Sequence, residues 1–358
     1  MSTLITPPAQ CFTHEQLVVR RGTRSGFAIA VAIHSSVLGQ PIGGCRLRHY
    51  ANWRDGVADA LCMAEGMTYK CALAGLNHGG AKSVIMTPAP RPPTRDERRA
   101  ALLDIGDVIE SLGGHYATGP DVGTGPDDML TIAERTRHVF CLPAKHGGSG
   151  DSSPPTARGV YRAIQAACAH RFGSADLSGR RVTVIGLGSV GALIAQALAD
   201  AGAQLAVADI DPAKQEVSRR LAATWITPDE ALHAPAEVLV PAAVGGLLTP
   251  EVVPSLRCAA IVGPANNQLS TDAVADLLHA RGILWVPDYL ASAGGVIHAT
   301  TVEQDGQPET VALAEVDRIG ATITQLLTTA AKTGVTTHHA ARRLAETRLT
   351  AAISDRRG

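Results

Sequence analysis

Lys70 and Lys82 stand twelve residues apart in KCALAGLNHGGAK, on either side of a small-residue run and a glycine pair. An ammonium buried without a partner is costly, so two lysines bracketing a tight segment point to a task. Brought into one pocket, two ammonium groups disfavour each other's charge. One could stay charged and hold a carboxylate while the other, neutral part of the time, acts as a general base. A third candidate is Asp121 in HYATGPDVGTGPDDM. The Gly/Pro-rich loop leaves two readings of that acid, a proton carrier beside the lysines or the side chain of an Asx turn. The lysines have a plainer reading too, as solvated surface charges.

These residues need elements to hold them. Residues 17–33, LVVRRGTRSGFAIAVAI, give two β-rich runs around a Gly/Ser turn, a hairpin or meander. In WRDGVADALCMAEGMTY, Val57, Ala60, Leu61, Ala64 and Met67 fall near helical spacing, which places Lys70 at or just beyond a helix end. SVIM at 83–86 reads as a buried strand, so Lys82 is expected at a loop-to-strand junction, with Ala81 in a turn where glycine would serve better. PAPRPPTRDE caps a following helix over about 95–112. The sharpest composition break is GGSGDSSPPT at 147–156, the expected hinge between domains, after which strands and helices alternate as in a parallel doubly wound sheet.

Residues 181–211 carry the clearest motif, RVTVIGLGSVGALIAQALADAGAQLAVADID. An apolar strand runs into Gly186-x-Gly188-x-x-Gly191, then a helix opened by Ser189 and Val190, then a second strand ending at Asp209. GxGxxG alone is a weak signal, but strand, glycines, helix, strand and acid in this order predict dinucleotide binding. Gly186 permits the tight turn, Gly188 admits the pyrophosphate, Gly191 allows close helix packing, and the helix N-terminus stabilises phosphate charge. Asp209 would accept from the adenine ribose hydroxyls and repel a 2′-phosphate. Ile210 beside it, with Asp211 and Pro212, supplies no arginine for that phosphate, so NAD is expected over NADP. The neighbouring Asp211 keeps open a reading in which Asp209 only caps a turn.

Composition narrows the classes. At 358 residues the chain suits two domains with a cleft, and 45% hydrophobic with 18% charged residues excludes disorder. A net charge of −1 gives no draw toward nucleic acid or anionic lipid, which leaves a small-molecule ligand. No apolar run reaches the ~20 residues of a membrane span and residues 1–12 lack a signal-peptide pattern, so the expectation is cytoplasmic. Seven scattered cysteines, none spaced as CxxC, argue against disulfides and structural zinc, and no metal site is expected. His78 reads as a loop histidine.

The run GGCRLRHYANWRDGVADAL…EGMTYKCALAGLNHGGAKSVI resembles the first domain of the leucine, valine and phenylalanine dehydrogenase family, in the glutamate/leucine/phenylalanine/valine dehydrogenase superfamily. The match continues through TGPDVGTGPDDM, GGSGDSSPPTARGVYRA, the dinucleotide motif, GPANNQL and RGILWVPDYLASAGGVIH. It implies an α/β substrate domain over 1–146 and a Rossmann-type NAD domain over 147–324. The active site would lie in the cleft between them, with 325–358 packing back on the first domain.

Carried over, the resemblance makes Lys70 the carboxylate ligand with Asn266, Lys82 the catalytic base, and Asp121 a proton shuttle in contact with the amino group. Gly43 and Gly44 would admit the substrate to the backbone, Thr156 and Asn266 would face the nicotinamide, and Ile42, Gly119, Val296 and Ala299 would line the side-chain pocket. The implied reaction is reversible oxidative deamination. Hydride passes from the substrate Cα to nicotinamide C4, water activated by Lys82 attacks the iminium, and collapse assisted by Asp121 releases ammonia and the 2-oxo acid. A homo-oligomer, dimer or octamer, is implied as well.

Ile42 and Val296 suit a branched aliphatic side chain, valine or leucine, whereas Gly119 and Ala299 leave room for phenylalanine. The sequence departs from the family pattern at Ser292 (usually Asn), Ala81 (usually Gly), Cys45 (usually a hydroxyl residue) and Ala242 (often Cys). Two further readings follow from these departures, an enzyme for an atypical amino acid and a catalytically silent NAD-binding relative. Retention of both lysines and Asp121 speaks against silence.

Overall fold

A computed structural model describes residues 12–243 and 245–355. Aromatic residues are scarce, so layers must pack through Ala, Val and Gly at short range. The chain divides into two compact units, Met1–Thr68 with Asn77–Val139, and Tyr69–Leu76 with Phe140–Gly358.

The first unit is built on five strands, β1 (Gln16–Arg21), β2 (Ala28–Ser35), β3 (Pro41–His49), β4 (Gly79–Thr87) and β5 (Ala117–Pro120), ordered β1-β2-β4-β3-β5. The β1–β2 hairpin is antiparallel, β2 pairs antiparallel with β4, and β3 pairs parallel with both β4 and β5. The Trp53–Leu73 helix begins in this unit, burying Ala60, Met63 and Ala64 against Ala30, Ala32, Val84 and Met86. Small side chains on both layers let the helix settle close to the sheet. The Arg95–Glu110 helix starts at a capping box, in which Thr94 and Glu97 satisfy each other's backbone N–H.

The second unit holds six parallel strands, β6 (Arg181–Ile185), β7 (Gln204–Ala208), β8 (Thr224–Trp225), β9 (Val238–Pro241), β10 (Ala260–Ile261) and β11 (Leu284–Trp285). Their order, β11-β10-β9-β6-β7-β8, reverses direction between β6 and β9. This is the doubly wound Rossmann order, and the reversal marks the crevice where such sheets take ligands. The core on one face gathers Ile185, Leu239, Leu248, Ile261, Leu278 and Trp285.

Residues 325–355 cluster with the second unit together with residues 69–76, and Arg348 donates to the carbonyls of Cys71, Ala72 and Gly75 in that stretch. The Gly/Ser-rich stretch after residue 146 is hydrogen-bonded within the second unit. The Glu303 carboxylate receives the N–H groups of Cys141 and Ser149, and Asp151 receives the N–H and hydroxyl of Ser153 at the start of the Ser153–Phe172 helix.

Candidate active site

Lys82 lies inside β4, opposite Ala32, and not at a loop junction; the strand starts three residues earlier, at Gly79. The glycine pair before it serves close approach. A Cβ on Gly79 would lie 1.9 Å from the Ser35 carbonyl oxygen, and one on Gly80 would lie 2.1 Å from the Thr68 nitrogen. Gly80 therefore lets the long helix touch the strand backbone. Ala81 is a fully buried strand residue opposite Ile33, and its carbonyl occupies the space that a Gly43 Cβ would take, 1.8 Å away. On Gly44 a Cβ would meet the Pro120 carbonyl oxygen at 2.6 Å. Gly44 pairs with Gly119 on β5, and Ile42 is fully buried on β3.

Asp121 follows β5 directly. Its loop is fastened to β3, since the Leu47 N–H reaches the Val122 carbonyl at 2.9 Å and the Thr124 hydroxyl donates to the Cys45 carbonyl at 2.7 Å. The turn itself is closed by the Thr124 N–H on the Asp121 carbonyl, and the Asp121 N–H donates to the Thr124 hydroxyl. The carboxylate is thus left for other partners. It forms an ion pair with Lys82 and lies 3.3 Å from Arg46 Nε. Both cations face Oδ2 by charge rather than as aligned hydrogen bonds. Burial works to raise the Asp121 carboxyl, but the Lys82 and Arg46 charges outweigh it and hold the group well below the usual carboxylate range. The neighbouring Cys45 thiol is pushed up to about 12 by burial and stays neutral.

Arg46 is the residue that sequence reasoning missed. Its Nη1 donates to Asp59 at 2.9 Å, and Asp59 also receives the Tyr50 hydroxyl. The available signal was an arginine at alternate position to Gly44 on a strand buried on both faces.

In the second unit Lys70 occupies the last turn of its helix, where a cation suits the helix dipole. Its Nζ donates to Asn266 Oδ1 at 3.3 Å and to the Ser292 hydroxyl at 3.0 Å. Nearby Asp288 is buried. Desolvation pushes its carboxyl up, opposed by the Gln268 N–H and the Lys70 charge. Ser292, a departure from the family pattern in sequence, is therefore a direct partner of Lys70. Thr156 sits near the N-terminus of the Ser153–Phe172 helix with its hydroxyl against Gly295, where a Cβ would lie 2.6 Å from it. Val296 and Ala299 lie on the Gly294–Ala299 helix, Ala299 fully buried.

The glycine-rich turn shows a distinct need at each position. Gly186 has φ +100°, open to glycine alone at little cost. Around Gly188, the cap of the Ser189–Asp200 helix, a Cβ would find nothing within 4 Å, so the N-terminal N–H groups of the helix are accessible. Gly191 packs so tightly that its Cβ would lie 2.0 Å from the Gly186 carbonyl and 3.1 Å from the Ala242 side chain. Asp209 accepts from the Leu187 N–H at 2.6 Å and the Asp211 N–H at 2.9 Å, whereas Asp211 caps the short Pro212–Lys214 turn through the Ala213 N–H. Two backbone donors leave lone pairs on the Asp209 carboxylate for a further partner. Ile210 is 91% exposed, an apolar side chain with no protein neighbour to cover it. An anion-binding helix end, an oriented acid and an open apolar side chain at the strand reversal fit a dinucleotide.

The N-terminal residues 8–138 match the family model for Glu/Leu/Phe/Val dehydrogenase, dimerisation domain, and residues 207–357 match that for glutamate/leucine/phenylalanine/valine dehydrogenase. A leucine dehydrogenase of Bacillus cereus is 38% identical over 94% of this chain and 91% of its own. The chain belongs to the glutamate/leucine/phenylalanine/valine dehydrogenase family. A phenylalanine dehydrogenase of Lysinibacillus sphaericus is 38% identical over 92% of this chain and 87% of its own. The crystal structure of L-tryptophan dehydrogenase from Nostoc punctiforme superposes with a TM-score of 0.77 at 35% identity, covering 96% of this chain and 97% of that one. As a member of this family the protein is an amino-acid dehydrogenase, an oxidoreductase acting on a CH–NH2 group of a small molecule with a nicotinamide cofactor. Among the described residues no helix is long and apolar enough to cross a membrane, and no group of three or more His, Cys, Asp and Glu is placed to hold a metal.

Proposed function

We propose that the protein catalyses the reversible, NAD-dependent oxidative deamination of an L-amino acid with a branched aliphatic side chain, giving the 2-oxo acid and ammonia. The observation that carries this reading is the buried Lys82–Asp121 pair, an ammonium and a carboxylate in direct contact and so able to pass a proton. Lys70, supported by Asn266 and Ser292, holds the substrate carboxylate. Lys82, neutral once its own proton has passed to Asp121, takes a proton at Nζ from the water as the water adds to the iminium carbon. Asp121 gives its proton to the amino nitrogen and, as the C–N bond breaks, takes the carbinolamine hydroxyl proton, so that ammonia leaves and the carbonyl of the 2-oxo acid forms. The nicotinamide, when bound, supplies the hydride acceptor that no side chain provides. Gly43 and Gly44 belong to the substrate side of this assignment.

Gly186, Gly188, Ser189, Val190 and Gly191 would hold the pyrophosphate, Asp209 and Ile210 the adenosine half, and Thr156 with Asn266 the nicotinamide half. The free lone pairs of Asp209 favour ribose hydroxyls over a 2′-phosphate, which supports NAD over NADP. Ile42 and Val296 support a branched side chain. Gly119 and Ala299, both small, favour a second reading with an aromatic substrate. In this reading the N-terminal part supplies substrate binding and proton chemistry and the six-stranded unit supplies the cofactor site. A homo-oligomer agrees with the dimerisation description of the matching N-terminal family model.

The test is NADH formation at alkaline pH across a panel of L-amino acids, with Lys82→Ala as control. Fastest turnover on leucine or valine, lost in Lys82→Ala, is expected. Full turnover in the variant would remove Lys82 from the chemistry, and NAD binding without turnover on any amino acid would mark a silent family member.

A further inference from the structure

We propose that Arg46, clamped by Asp59, is a positioning residue for Asp121, fixing the carboxylate that faces the Lys82 ammonium. This rests on the reading of Lys82 and Asp121 as the proton-handling pair. The argument begins with the fork of the guanidinium. Arg46 is nine-tenths buried, its Nε faces Asp121 at 3.3 Å and its Nη1 reaches Asp59 at 2.9 Å. One planar head with donors in two directions can separate two acids, which the point charge of a lysine cannot do. Asp59 is held in turn by the Tyr50 hydroxyl.

The cluster contains two cations, Lys82 and Arg46, and two carboxylates, Asp121 and Asp59. Charges cancel, so the group can be buried; deleting one member leaves an unpaired buried charge. Arg46 has a second effect, since its charge helps keep Asp121 ionised. Among the described residues, the other titratable groups facing Asp121 are the Cys45 thiol and the Tyr116 phenol, both raised by burial and neutral over the working range. The charge of Asp121 therefore depends on Arg46, which Asp59 holds in place.

The experiment compares full-length wild type with Arg46→Lys, Arg46→Met, Asp59→Asn and Asp121→Asn. The kcat–pH profile is taken with the fastest amino acid of the panel, and melting temperatures are taken for an Arg46→Met/Asp121→Asn double-mutant cycle. Removing a nearby positive charge favours the protonated form of the pair, so the acid limb of kcat in Arg46→Met moves up by about one pH unit. Arg46→Lys restores the limb but lowers kcat about 10- to 100-fold, with KM for NAD unchanged, because the charge returns without the fork. Asp59→Asn lowers kcat in the same way, and the melting shifts in the cycle are non-additive. An unmoved acid limb, wild-type kcat in Arg46→Lys and Asp59→Asn, and additive melting shifts would overturn the proposal. Should Arg46→Met fail to fold, Arg46→Lys and Asp59→Asn decide it through kcat. Wild-type activity in Asp121→Asn would instead remove the assignment of the pair, while the melting cycle would still report whether Arg46 is coupled to Asp121.

Discussion

The Lys70 ammonium donates to the Ser292 hydroxyl at 3.0 Å, closer than its contact with Asn266 at 3.3 Å. Ser292 thus orients the lysine assigned to the substrate carboxylate. Ser292→Ala leaves that donor to water and raises KM for the amino acid about 3- to 10-fold, the loss of roughly one hydrogen bond to a charged group, with melting temperature little changed. Steady-state kinetics on the amino acid checks this, and an unchanged KM would assign Ser292 to packing alone.

Asp209 lies where its carboxylate is already oriented by two backbone N–H groups. In the ribose-binding role proposed for it, Asp209→Ala removes both the acceptor and the repulsion of a 2′-phosphate. The ratio of kcat/KM for NAD over NADP is expected to fall about 100-fold, as the loss of a charged hydrogen-bond acceptor implies. A ratio equal to wild type would mean that selectivity resides elsewhere.

Gly191 has no space for a methyl group, with the Gly186 carbonyl 2.0 Å from where its Cβ would stand. Gly191→Ala must push the helix from the turn, so NADH affinity measured by fluorescence titration drops at least about tenfold and stability falls by about 1–3 kcal/mol. Gly188→Ala meets open space on the protein side, so it leaves the melting temperature of the unliganded protein near wild type while weakening NADH binding. Equal melting losses in the two variants would contradict this division of labour.

Asp104 anchors the β1–β2 turn from the Arg95–Glu110 helix, accepting from the N–H and hydroxyl of Ser25 and from the N–H and guanidinium of Arg24. Burial opposes ionisation there, but these donors prevail and the carboxyl is lowered. Because the folded value lies below the unfolded one, near 4, the stabilisation is complete above that pH and is lost as pH falls through the folded value. Asp104→Asn is expected to cost about 2–4 kcal/mol at neutral pH and less below pH 4, read from denaturant melts at both. A constant difference across that range would mean that the charge of Asp104 has no part in its anchoring role.

The parts of the sequence that read correctly are those in which one local pattern has one structural solution. The β1–β2 hairpin and the strand–turn–helix around Gly186 are of this kind. Gly79 and Gly80 looked like a turn because glycine serves both turns and close approach; only the helix backbone at Thr68 distinguishes the two. Arg46 was illegible for a related reason, since it joins Asp59 on the following helix to Asp121, in a loop far along the chain. Gly and Ser in 147–156 suggest a linker, but the acid that bonds Ser149, Glu303, lies more than 150 residues away and has no signal in the local pattern. Strands of two residues such as β8, β10 and β11 carry too little periodicity to be seen.

The main-chain contacts at Gly43, Gly79 and Gly80 have a consequence for how such an enzyme can change. Lys82 is located by backbone resting on backbone, with no side chain as a spacer. A side chain at any of these three glycines would push main chain away from main chain and carry the lysine with it. On this scaffold the place of the lysine is a property of the main chain, while the charges it meets are supplied by side chains, Asp121 and Arg46 first.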